Sequence, residues 1–306
     1  MSDAPSVGIV VVNYNSAAFI DEFLASLAAV RYENRHLTVV DAGSDDGSVE
    51  TIARTLPDAE IIRCGENVGF ARGANIGVKA CAAREDDFVL FLNNDVALTP
   101  DFLGAMIAAA DARTLVVPKI LYYDDRRLIS THAGGFDWRL GVFRRTYAGR
   151  PDGPATSVRR EDLQTASFCC ALVPLRAFRD AGPLDETFFM YYEETDFIRR
   201  AQACGYRVRY EPSAVVYHRE SGSSGGGWIT PFKQYYATRN RLYLVRKHRR
   251  SRLAYAWFTA YFWATRIATS ARLAATGRWR LLRAMWRGTL DYYRGRMGRT
   301  LQVRDL

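Results

Sequence analysis

Short apolar runs recur along the first two-thirds of the chain, and several of them end at a polar residue. The run over residues 7–12 is continuous and largely β-branched, and it stops at Asn13. Runs of this kind are typical of strands that are buried on both faces of a parallel sheet. The runs that we interpret as strands cover residues 7–12, 37–41, 60–63, 88–92, 115–118, 168–173, 207–210 and 214–217.

Segments with apolar residues at helical spacing separate most of these runs. Strands that alternate with helices predict an open, mostly parallel α/β sheet with flanking helices. Residues 121–149 mix tyrosine, arginine, aspartate and glycine, and we interpret them as irregular structure or a hairpin. The segments that we interpret as helices cover residues 18–29, 49–55, 69–83, 102–110, 176–181, 195–203 and 231–250.

The positive charge of the chain is concentrated at its C-terminal end. The whole chain has a net charge of +9, but residues 239–306 hold 17 Lys and Arg against two acids, a net of +15. Residues 1–238 are therefore mildly acidic, with a net charge of −6. We predict a first domain over residues 1–238, with halves of about 1–120 and 121–238, and a basic, aromatic helical tail over 239–306.

The tail has the pattern of a helix that lies in a membrane interface. Residues 253–265 are aromatic and apolar, but Arg266 interrupts them and the run is too short to span a bilayer. Tryptophans and arginines favour an anionic lipid surface as the partner. Alternatives are packing on the protein's own core or a contact between copies of the chain. Farther on, arginines and apolar side chains fall on separate helical faces: Arg280, Arg283 and Arg287 on one, and Leu282, Met285, Trp286 and Leu290 on the other.

Composition excludes several other classes of protein. Hydrophobic content of 48% and charged content of 25% are ordinary for a soluble globular chain. The five cysteines are scattered and contain no Cys-x-x-Cys, so we expect reduced thiols in the cytoplasm rather than a disulfide framework or a zinc site. The N-terminus lacks the basic and apolar regions of a signal peptide. Because no nucleic-acid-binding motif accompanies the basic tail, we do not expect nucleic acid as a partner.

Polar residues at the ends of predicted strands indicate a ligand site. Asn13, Asp41 and Asp95 each lie at the carboxyl end of a strand, where open α/β sheets bind their ligands. Asp95 can ligate a divalent cation through oxygen, although an Asn-Asn-Asp turn is the alternative. The chain has no G-x-G-x-x-G or Walker motif, but the glycine-rich segment 65–75 precedes a helix and suits a nucleotide or a diphosphate.

An acidic cluster follows an aromatic run farther along the chain. Glu193, Glu194 and Asp196 come directly after residues 188–192 and fall in the first turn of a predicted helix. Acids in this position can simply complement the helix dipole or pair with a nearby arginine. His218 lies at another strand end, beside the segment 221–227, which is either a mobile lid or a plain linker.

Taken together and in this order, the motifs resemble glycosyltransferase family two, and its rhamnosyltransferase-like members most. The resemblance extends over residues 7–241, and the tail contributes less to it. The motifs are Asn13-Tyr14-Asn15-Ser16, Asp41 with Ser44-Asp45-Asp46-Gly47-Ser48, the segment 67–75, Asn93-Asn94-Asp95, the block 188–196, His218, and Tyr235-Tyr236 with Arg239-Asn240.

The resemblance implies a GT-A fold, a nucleotide-sugar donor, a divalent cation (Mg²⁺ or Mn²⁺) and inversion at the anomeric carbon. It makes residues 1–120 the donor half and 121–238 the acceptor half. Two positions depart from the family pattern: Glu194 stands where an aspartate base is usual, so either Glu194 or Glu193 is the base, and Ala42 stands where asparagine is common. The implied site residues are Asn13, Tyr14, Asp41, Asn67, Arg72, Asn94 and Asp95 for the nucleotide sugar, Asp95 and His218 for the metal, Glu194 or Glu193 for catalysis, and Asp196, Trp228 and Arg239 for the acceptor or diphosphate.

The function that we expect is transfer of a sugar, with L-rhamnose suggested by the resemblance, to a cell-envelope glycan or lipid-linked acceptor. The enzyme would be cytoplasmic and peripheral on the inner face of the cell membrane, with a homo-oligomer as an open alternative. Other hypotheses are a non-catalytic nucleotide-sugar-binding or scaffold protein, a nucleotidyltransferase, and a nucleic-acid-binding protein that uses the basic tail.

Overall fold

The computed structural model describes residues 4–130, 133–161, 163–219 and 229–301, with the backbone alone described at Arg145. The strands are β1 Val7–Asn13, β2 Arg35–Asp41, β3 Glu60–Arg63, β4 Phe88–Leu92, β5 Val96–Leu98, β6 Thr114–Tyr122, β7 Gly134–Asp137, β8 Val142–Arg145, β9 Cys170–Pro174 and β10 Arg207–His218. The helices are α1 Ile20–Ala28, α2 Ser48–Thr55, α3 Gly69–Ala83, α4 Phe102–Ala108, α5 Arg176–Ala181, α6 Glu193–Ala203, α7 Pro231–Lys247, α8 Arg252–Ala275 and α9 Trp279–Tyr293.

Eight strands form one mixed sheet in the order β3-β2-β1-β4-β9-β6-β10-β5. Strands β9 and β5 are antiparallel to their neighbours, and the other pairings are parallel. This confirms the predicted α/β class with a mostly parallel sheet. One prediction was wrong: β10 is a single strand with an irregularity between Glu211 and Val215, where the sequence pattern suggested two strands. A separate hairpin joins β7 and β8.

Strand register brings polar residues together at one edge of the sheet. Asn13 at the end of β1 is in register with Asp41 at the end of β2. Strand β5 pairs with the end of β10, so His218 lies opposite Val96 and next to Asp95. The predicted crevice at the carboxyl ends of the strands therefore collects residues from β1, β2, the β4–β5 turn and β10.

Alternate residues of each strand enter two hydrophobic cores, as expected for a sheet that is covered on both faces. Ile9 and Leu90 belong to one core, which helices α1 and α4 complete through Phe23 and Phe102. The opposite core contains Val10, Val89 and Phe91, and it is completed by helices α3, α5 and α6. These layers fix where α6, and with it the acidic cluster, meets the sheet.

The C-terminal helices pack on the acidic segment rather than forming a detached tail. Phe188 and Tyr192 share a buried cluster with Leu242 of α7, Phe258 of α8 and Tyr292 of α9. Helix α7 runs continuously through residue 238, where the sequence pattern placed a boundary. The two-region division stays a prediction, but the helices after residue 230 are built into the scaffold of the acidic segment.

The structure adds two features of the tail helices to the sequence pattern. Helix α8 includes Arg266, whose guanidinium lies 5.1 Å from the Phe262 ring centroid. The predicted apolar face of α9 is divided, since Met285 is buried whereas Trp286 and Leu290 are exposed. Among the described residues, no helix is both long and apolar enough to cross a bilayer.

Candidate active site

Asn13 connects three polar segments at the carboxyl end of the sheet. Its fully buried side chain donates from Nδ2 to Asp41 Oδ1 at 3.1 Å. Its Oδ1 accepts a hydrogen bond from Asn94 Nδ2 at 2.7 Å. The hydroxyl of Ser44 donates to Asp41 at 2.6 Å, so the carboxylate is held on a second side. Three predicted site residues, Asn13, Asp41 and Asn94, therefore belong to one rigid network.

Asp95 and His218 form a buried pair beside this network. Asp95 Oδ1 lies 3.2 Å from His218 Nε2, and the two residues are 5% and 8% exposed. Asp95 Oδ1 accepts no hydrogen bond of good geometry from the described part of the chain. A buried carboxylate oxygen next to an imidazole nitrogen offers two ligands that suit Mn²⁺ or a similar divalent cation.

The described residues alone do not complete a metal cage here. Within residues 4–130, 133–161, 163–219 and 229–301, no group of three or more Asp, Glu, His or Cys side chains is placed to hold a metal ion. The pair Asp95–His218 therefore fits a cation whose remaining ligands come from a bound molecule or from water, which is how Mg²⁺ is commonly held with substrate phosphates.

The two glutamates follow a backbone turn in an unusual conformation. Phe189, Tyr191 and Tyr192 have φ angles of 67°, 69° and 77°. A left-handed backbone costs a residue with an L side chain about 1–2 kcal/mol. Such strain persists only where the surroundings hold it, and it is concentrated at functional sites. This strained turn, residues 188–192, ends directly before Glu193 and the first turn of α6.

Helix α7 holds the strained turn from behind through its backbone carbonyls. Asn240 Nδ2 lies 3.0, 2.7 and 2.9 Å from the carbonyl oxygens of Phe188, Met190 and Tyr191. Arg239 Nη2 donates to the same Phe188 carbonyl at 3.0 Å. Both side chains are fully buried. The position of the glutamate pair thus depends on two residues that the sequence brings from a helix more than 40 positions later.

Burial gives the two glutamates unusual proton affinities. It raises the pKa of Glu194 to about 7, and backbone hydrogen bonds only partly oppose this. The pKa of Glu193 is raised well above its usual range by burial and then by the neighbouring charge of Glu194. Glu193 Oε2 is buried without a hydrogen-bond partner among the described residues. Both carboxyls therefore keep their protons to a higher pH than ordinary glutamates do, and the two titrate as a pair.

One cavity of about 410 Å³ brings the glutamates and the Asp95–His218 pair together. Its mixed polar and aromatic wall, within an otherwise packed domain, has the character of a small-molecule site. The predicted site residues in this wall are Tyr14, Asn67, Asn94, Asp95, Glu193, Glu194 and His218.

Five other predicted residues lie elsewhere, and a sixth is not described. Asn13 and Asp41 stand behind the wall, where Asn13 bonds Asn94. Arg72 is exposed on α3, outside the lining of the cavity. Arg239 was expected at the acceptor or diphosphate, but its guanidinium is buried behind the strained turn. Trp228 and the segment 221–227 lie outside the described residues.

Asp196 also points away from the cavity. Burial alone would raise its pKa, but hydrogen bonds and charges from His248, Arg200 and Lys247 lower it overall. His248 Nε2 and Lys247 Nζ lie 2.7 and 2.8 Å from Asp196 Oδ1, and Arg200 Nε lies 2.9 Å from its Oδ2. Asp196 was expected at the acceptor or diphosphate; the structure instead makes it an ion-pair anchor between α6 and α7.

Sequence analysis missed several residues that line the cavity. Phe143 and Arg144 reach it from β8, and Lys233 reaches it from the first turn of α7. The hairpin pattern near residue 135 was visible in the sequence, but nothing in it showed that the hairpin folds over the site. Lys233 follows the segment 221–227 and precedes Tyr235-Tyr236. This position in the chain was the signal that could have marked it.

The sequence model described as "Glycosyl transferase family 2" matches residues 8–182. The chain belongs to this family. The N-acetylglucosaminyl-diphospho-decaprenol L-rhamnosyltransferase of Mycobacterium tuberculosis is 30% identical over 242 residues, which cover 71% of this chain and 77% of that protein. These matches confirm the family and the rhamnosyltransferase-like resemblance that the motifs indicated, and the protein is a glycosyltransferase.

Solved structures confirm the GT-A type of fold. The mannosyltransferase PcManGT from Pyrobaculum calidifontis, in complex with GDP-Man and Mn²⁺, has a TM-score of 0.58 and 16% identity, covering 95% of this chain and 87% of that one. GalNAc-T7 with UDP, GalNAc and Mn²⁺ also has a TM-score of 0.58, with 14% identity; the match covers 77% of this chain but only 48% of GalNAc-T7. At these identities the likeness establishes the fold alone.

Proposed function

We propose that this glycosyltransferase inverts the anomeric carbon of its donor sugar, using a nucleoside-diphosphate sugar and a hydroxyl acceptor. One observation carries the proposal: the Glu193–Glu194 pair and the Asp95–His218 pair line the same cavity. A base for the acceptor and a site for the leaving diphosphate must lie on opposite sides of the sugar in a single displacement. The two pairs, which line one cavity, would meet these two needs.

Glu194 is our candidate for the base. A base must be ionised before it can take the acceptor's proton, and it works best when its pKa lies near the working pH. The pKa of Glu194, raised to about 7 by burial, satisfies this condition. The pKa of Glu193 is also raised well above its usual range, by burial and by the neighbouring charge of Glu194, and in this scheme Glu193 stays protonated. In the proposed reaction the acceptor hydroxyl gives its proton to Glu194 while the acceptor oxygen bonds the anomeric carbon. The bond between the anomeric carbon and the diphosphate oxygen breaks at the same time, and the nucleoside diphosphate leaves.

The donor would lie along the edge of the sheet. Asn13, Asp41 and Asn94 form a rigid polar network that can receive the nucleotide. Asn67 lies two residues before the start of α3. Its side-chain oxygen accepts a hydrogen bond from the backbone N–H of Gly69 at 3.0 Å and so fixes the first turn of the helix. Backbone N–H groups at a helix entry favour a diphosphate. Lys233 adds a positive charge to the same wall, whereas Arg72 is exposed on α3 outside the lining.

Asp95 and His218 would hold the divalent cation, Mg²⁺ or Mn²⁺, in this scheme. The unsatisfied Asp95 oxygen and the 3.2 Å separation from His218 support this assignment. A cation bound there would supply charge neutralisation for the departing diphosphate. Because Asp95 is fixed by the β4–β5 turn and His218 by strand pairing, the two ligands do not need to reorganise when the donor arrives.

The finer identity of the substrates follows the Mycobacterium tuberculosis relative. That protein is named as an L-rhamnosyltransferase acting on N-acetylglucosaminyl-diphospho-decaprenol. By analogy we propose L-rhamnose as the sugar and a lipid-linked or polymeric cell-envelope glycan as the acceptor. Such an acceptor places the enzyme at the inner face of the cell membrane. Two copies of the chain acting together would be compatible with this scheme but are not required by it.

Release of nucleoside diphosphate from a panel of UDP-, GDP- and dTDP-linked sugars tests the proposal, with Mn²⁺, Mg²⁺ or EDTA present. We expect slow hydrolysis of one donor, abolished by EDTA, and faster release when a lipid-linked glycan acceptor is added. Binding of a donor without turnover, even with acceptor, would favour a non-catalytic sugar-binding protein. Cleavage between the phosphates of a nucleoside triphosphate would favour a nucleotidyltransferase.

A further inference from the structure

The solvent-facing side of α8 is apolar along almost its whole length. Between Arg252 and Arg272, every exposed residue is leucine, tryptophan, isoleucine or alanine. Their spacing of three and four residues places them on a single face of the helix. We call this set the α8 face: Leu253, Trp257 and Ile267 with the alanines at 256, 260, 264, 268 and 271.

The α8 face is not the side by which the helix packs on the protein. Phe258, Phe262 and Leu273 point inward and are at most 5% exposed. Leu253, Trp257 and Ile267 are 81%, 61% and 66% exposed. A helix of 24 residues is about 36 Å long. The exposed apolar residues therefore form a long contiguous stripe, which marks an interaction surface more often than single exposed apolar side chains do.

The charges around the α8 face all have one sign. Arg252 and Arg272 stand at its two ends, and exposed arginines continue along α9 at 280, 283 and 287. Asp291 is the one acid among the described residues after 248; it is 5% exposed and accepts a hydrogen bond from Tyr235.

Trp286 and Tyr293 of α9 are also exposed, and both rings lie 5.9 Å from Trp263. The described part of this surface thus combines apolar and aromatic groups with an excess of positive charge.

We propose that the α8 face docks on an anionic lipid bilayer, with α8 parallel to the membrane plane and the arginines of α8 and α9 at the level of the phosphates. A helix that lies in a membrane interface buries its apolar side chains at the boundary of the acyl chains and keeps its arginines among the lipid headgroups. The inference rests on the proposed function in one respect, since docking would bring the catalytic cavity to a lipid-linked acceptor.

Charge favours a bilayer over a second copy of the chain. A two-fold contact through the α8 face would set its arginines against the same arginines of the other copy, and the described residues after 248 include no exposed acid. An anionic bilayer supplies the opposite charge along the whole face. Nucleic acid would match the arginines but would leave the exposed leucine, isoleucine and alanines without an apolar partner.

Co-sedimentation of the full chain with vesicles tests the proposal. Wild type should bind vesicles of phosphatidylcholine with 30% phosphatidylglycerol at least about tenfold more strongly than pure phosphatidylcholine. Trp257→Glu with Ile267→Glu should weaken that binding at least about tenfold. Val158→Glu is the control for an added surface carboxylate, because Val158 is 56% exposed outside the C-terminal helices and gains the same charge as each of the two substitutions. It should bind like wild type.

Three results would overturn the proposal. The first is that wild type does not prefer the anionic vesicles, and the second is that the double variant binds them as strongly as wild type. The third is that sedimentation velocity shows a dimer, that Trp257→Glu dissociates this dimer, and that none of the proteins binds vesicles. Donor hydrolysis without vesicles keeps the two proposals apart. A protein that binds vesicles but turns over no donor contradicts the proposed function alone, whereas donor turnover without vesicle binding contradicts the docking alone.

Discussion

The side-chain nitrogen of Asn240 lies 2.7 Å from the carbonyl oxygen of Met190, in the middle of the strained turn that precedes the glutamate pair. The same nitrogen is within 3.0 Å of the Phe188 and Tyr191 carbonyls. Three left-handed residues in a four-residue stretch do not hold their conformation unaided. The C-terminal helices are therefore part of the catalytic scaffold, because α7 fixes the turn that aims Glu193 and Glu194.

Asn240→Ala removes the donor that holds these carbonyls. We expect kcat to fall about 100-fold while the KM for the donor changes little, since a misplaced base affects the chemical step most. Leaving buried carbonyls unsatisfied should also lower the free energy of unfolding by about 1–3 kcal/mol. Steady-state kinetics and denaturant unfolding measure both.

A matched control on the same helix is Gln234→Ala, whose side chain bonds Thr238 within α7. It should leave kcat within about twofold of wild type, as expected for a surface substitution. If Asn240→Ala loses only stability and keeps kcat, the turn is held by other contacts and our account of its positioning is wrong.

Gly69 touches the other side of the strained turn. A Cβ at this position would lie 2.4 Å from the Phe189 ring and 2.5 Å from the Phe189 carbonyl oxygen. Because φ of Gly69 is +74°, alanine there also adds backbone strain of about 1–2 kcal/mol. We expect Gly69→Ala to displace the turn and to lower kcat at least about tenfold.

Gly65→Ala separates the two effects of Gly69→Ala. Gly65 has a similar φ of +71°, but nothing lies within 4 Å of the added Cβ. Thermal unfolding should show a loss of stability in both variants, larger in Gly69→Ala because of the added contact, with kcat preserved only in Gly65→Ala. Equal losses of kcat in the two variants would mean that backbone strain, and not contact with Phe189, is responsible.

The sequence predicted more of the fold than of the way in which the site is held. Helix α3 has the bounds that its pattern suggested, and Asn13, Asp41 and Asp95 lie at strand ends as expected. These features follow from local periodicity and from the rule that parallel strands present their carboxyl ends at one edge. The antiparallel direction of β9 was not predictable, because an apolar run carries no direction.

Arg239 shows why residue roles are harder to predict than strands. Its type suggested a ligand for phosphate, yet the guanidinium bonds the carbonyls of Phe188 and Gly298 in the interior. Only the packing of α7 between the acidic segment and α9 decides this, and that packing joins residues about 50 positions apart. Arg266 is a similar case, since its contact with the Phe262 ring at 5.1 Å is visible only in the folded helix.

The raised pKa of Glu194 predicts how activity depends on pH. A base must be ionised, and burial raises the pKa of Glu194 to about 7. We therefore expect kcat/KM to rise about tenfold per pH unit below 7 and to level off above it. Kinetics between pH 5 and 9 check this. A rate that is flat from pH 5 upward would show that the ionising group has an ordinary carboxylate pKa.

Asp95→Asn tests the assignment of the metal ligands. The amide keeps the shape of the side chain but loses its charge, so the Mn²⁺ concentration for half-maximal donor turnover should rise at least about tenfold. His218→Ala should act in the same direction. Direct titration of Mn²⁺ by electron paramagnetic resonance, with nucleoside diphosphate present, checks that the change is in metal binding. An unchanged Mn²⁺ affinity in both variants would remove this pair from the site.

The central claim is that Glu194 acts as the base in the cavity that it shares with Asp95 and His218. The most direct measurement compares wild type and Glu194→Gln for donor affinity, by calorimetry, and for sugar transfer to a glycan acceptor. We predict donor affinity within about threefold of wild type and transfer reduced at least about 1,000-fold, since the amide keeps the shape but cannot accept the proton. Transfer by Glu194→Gln at close to the wild-type rate would contradict the account.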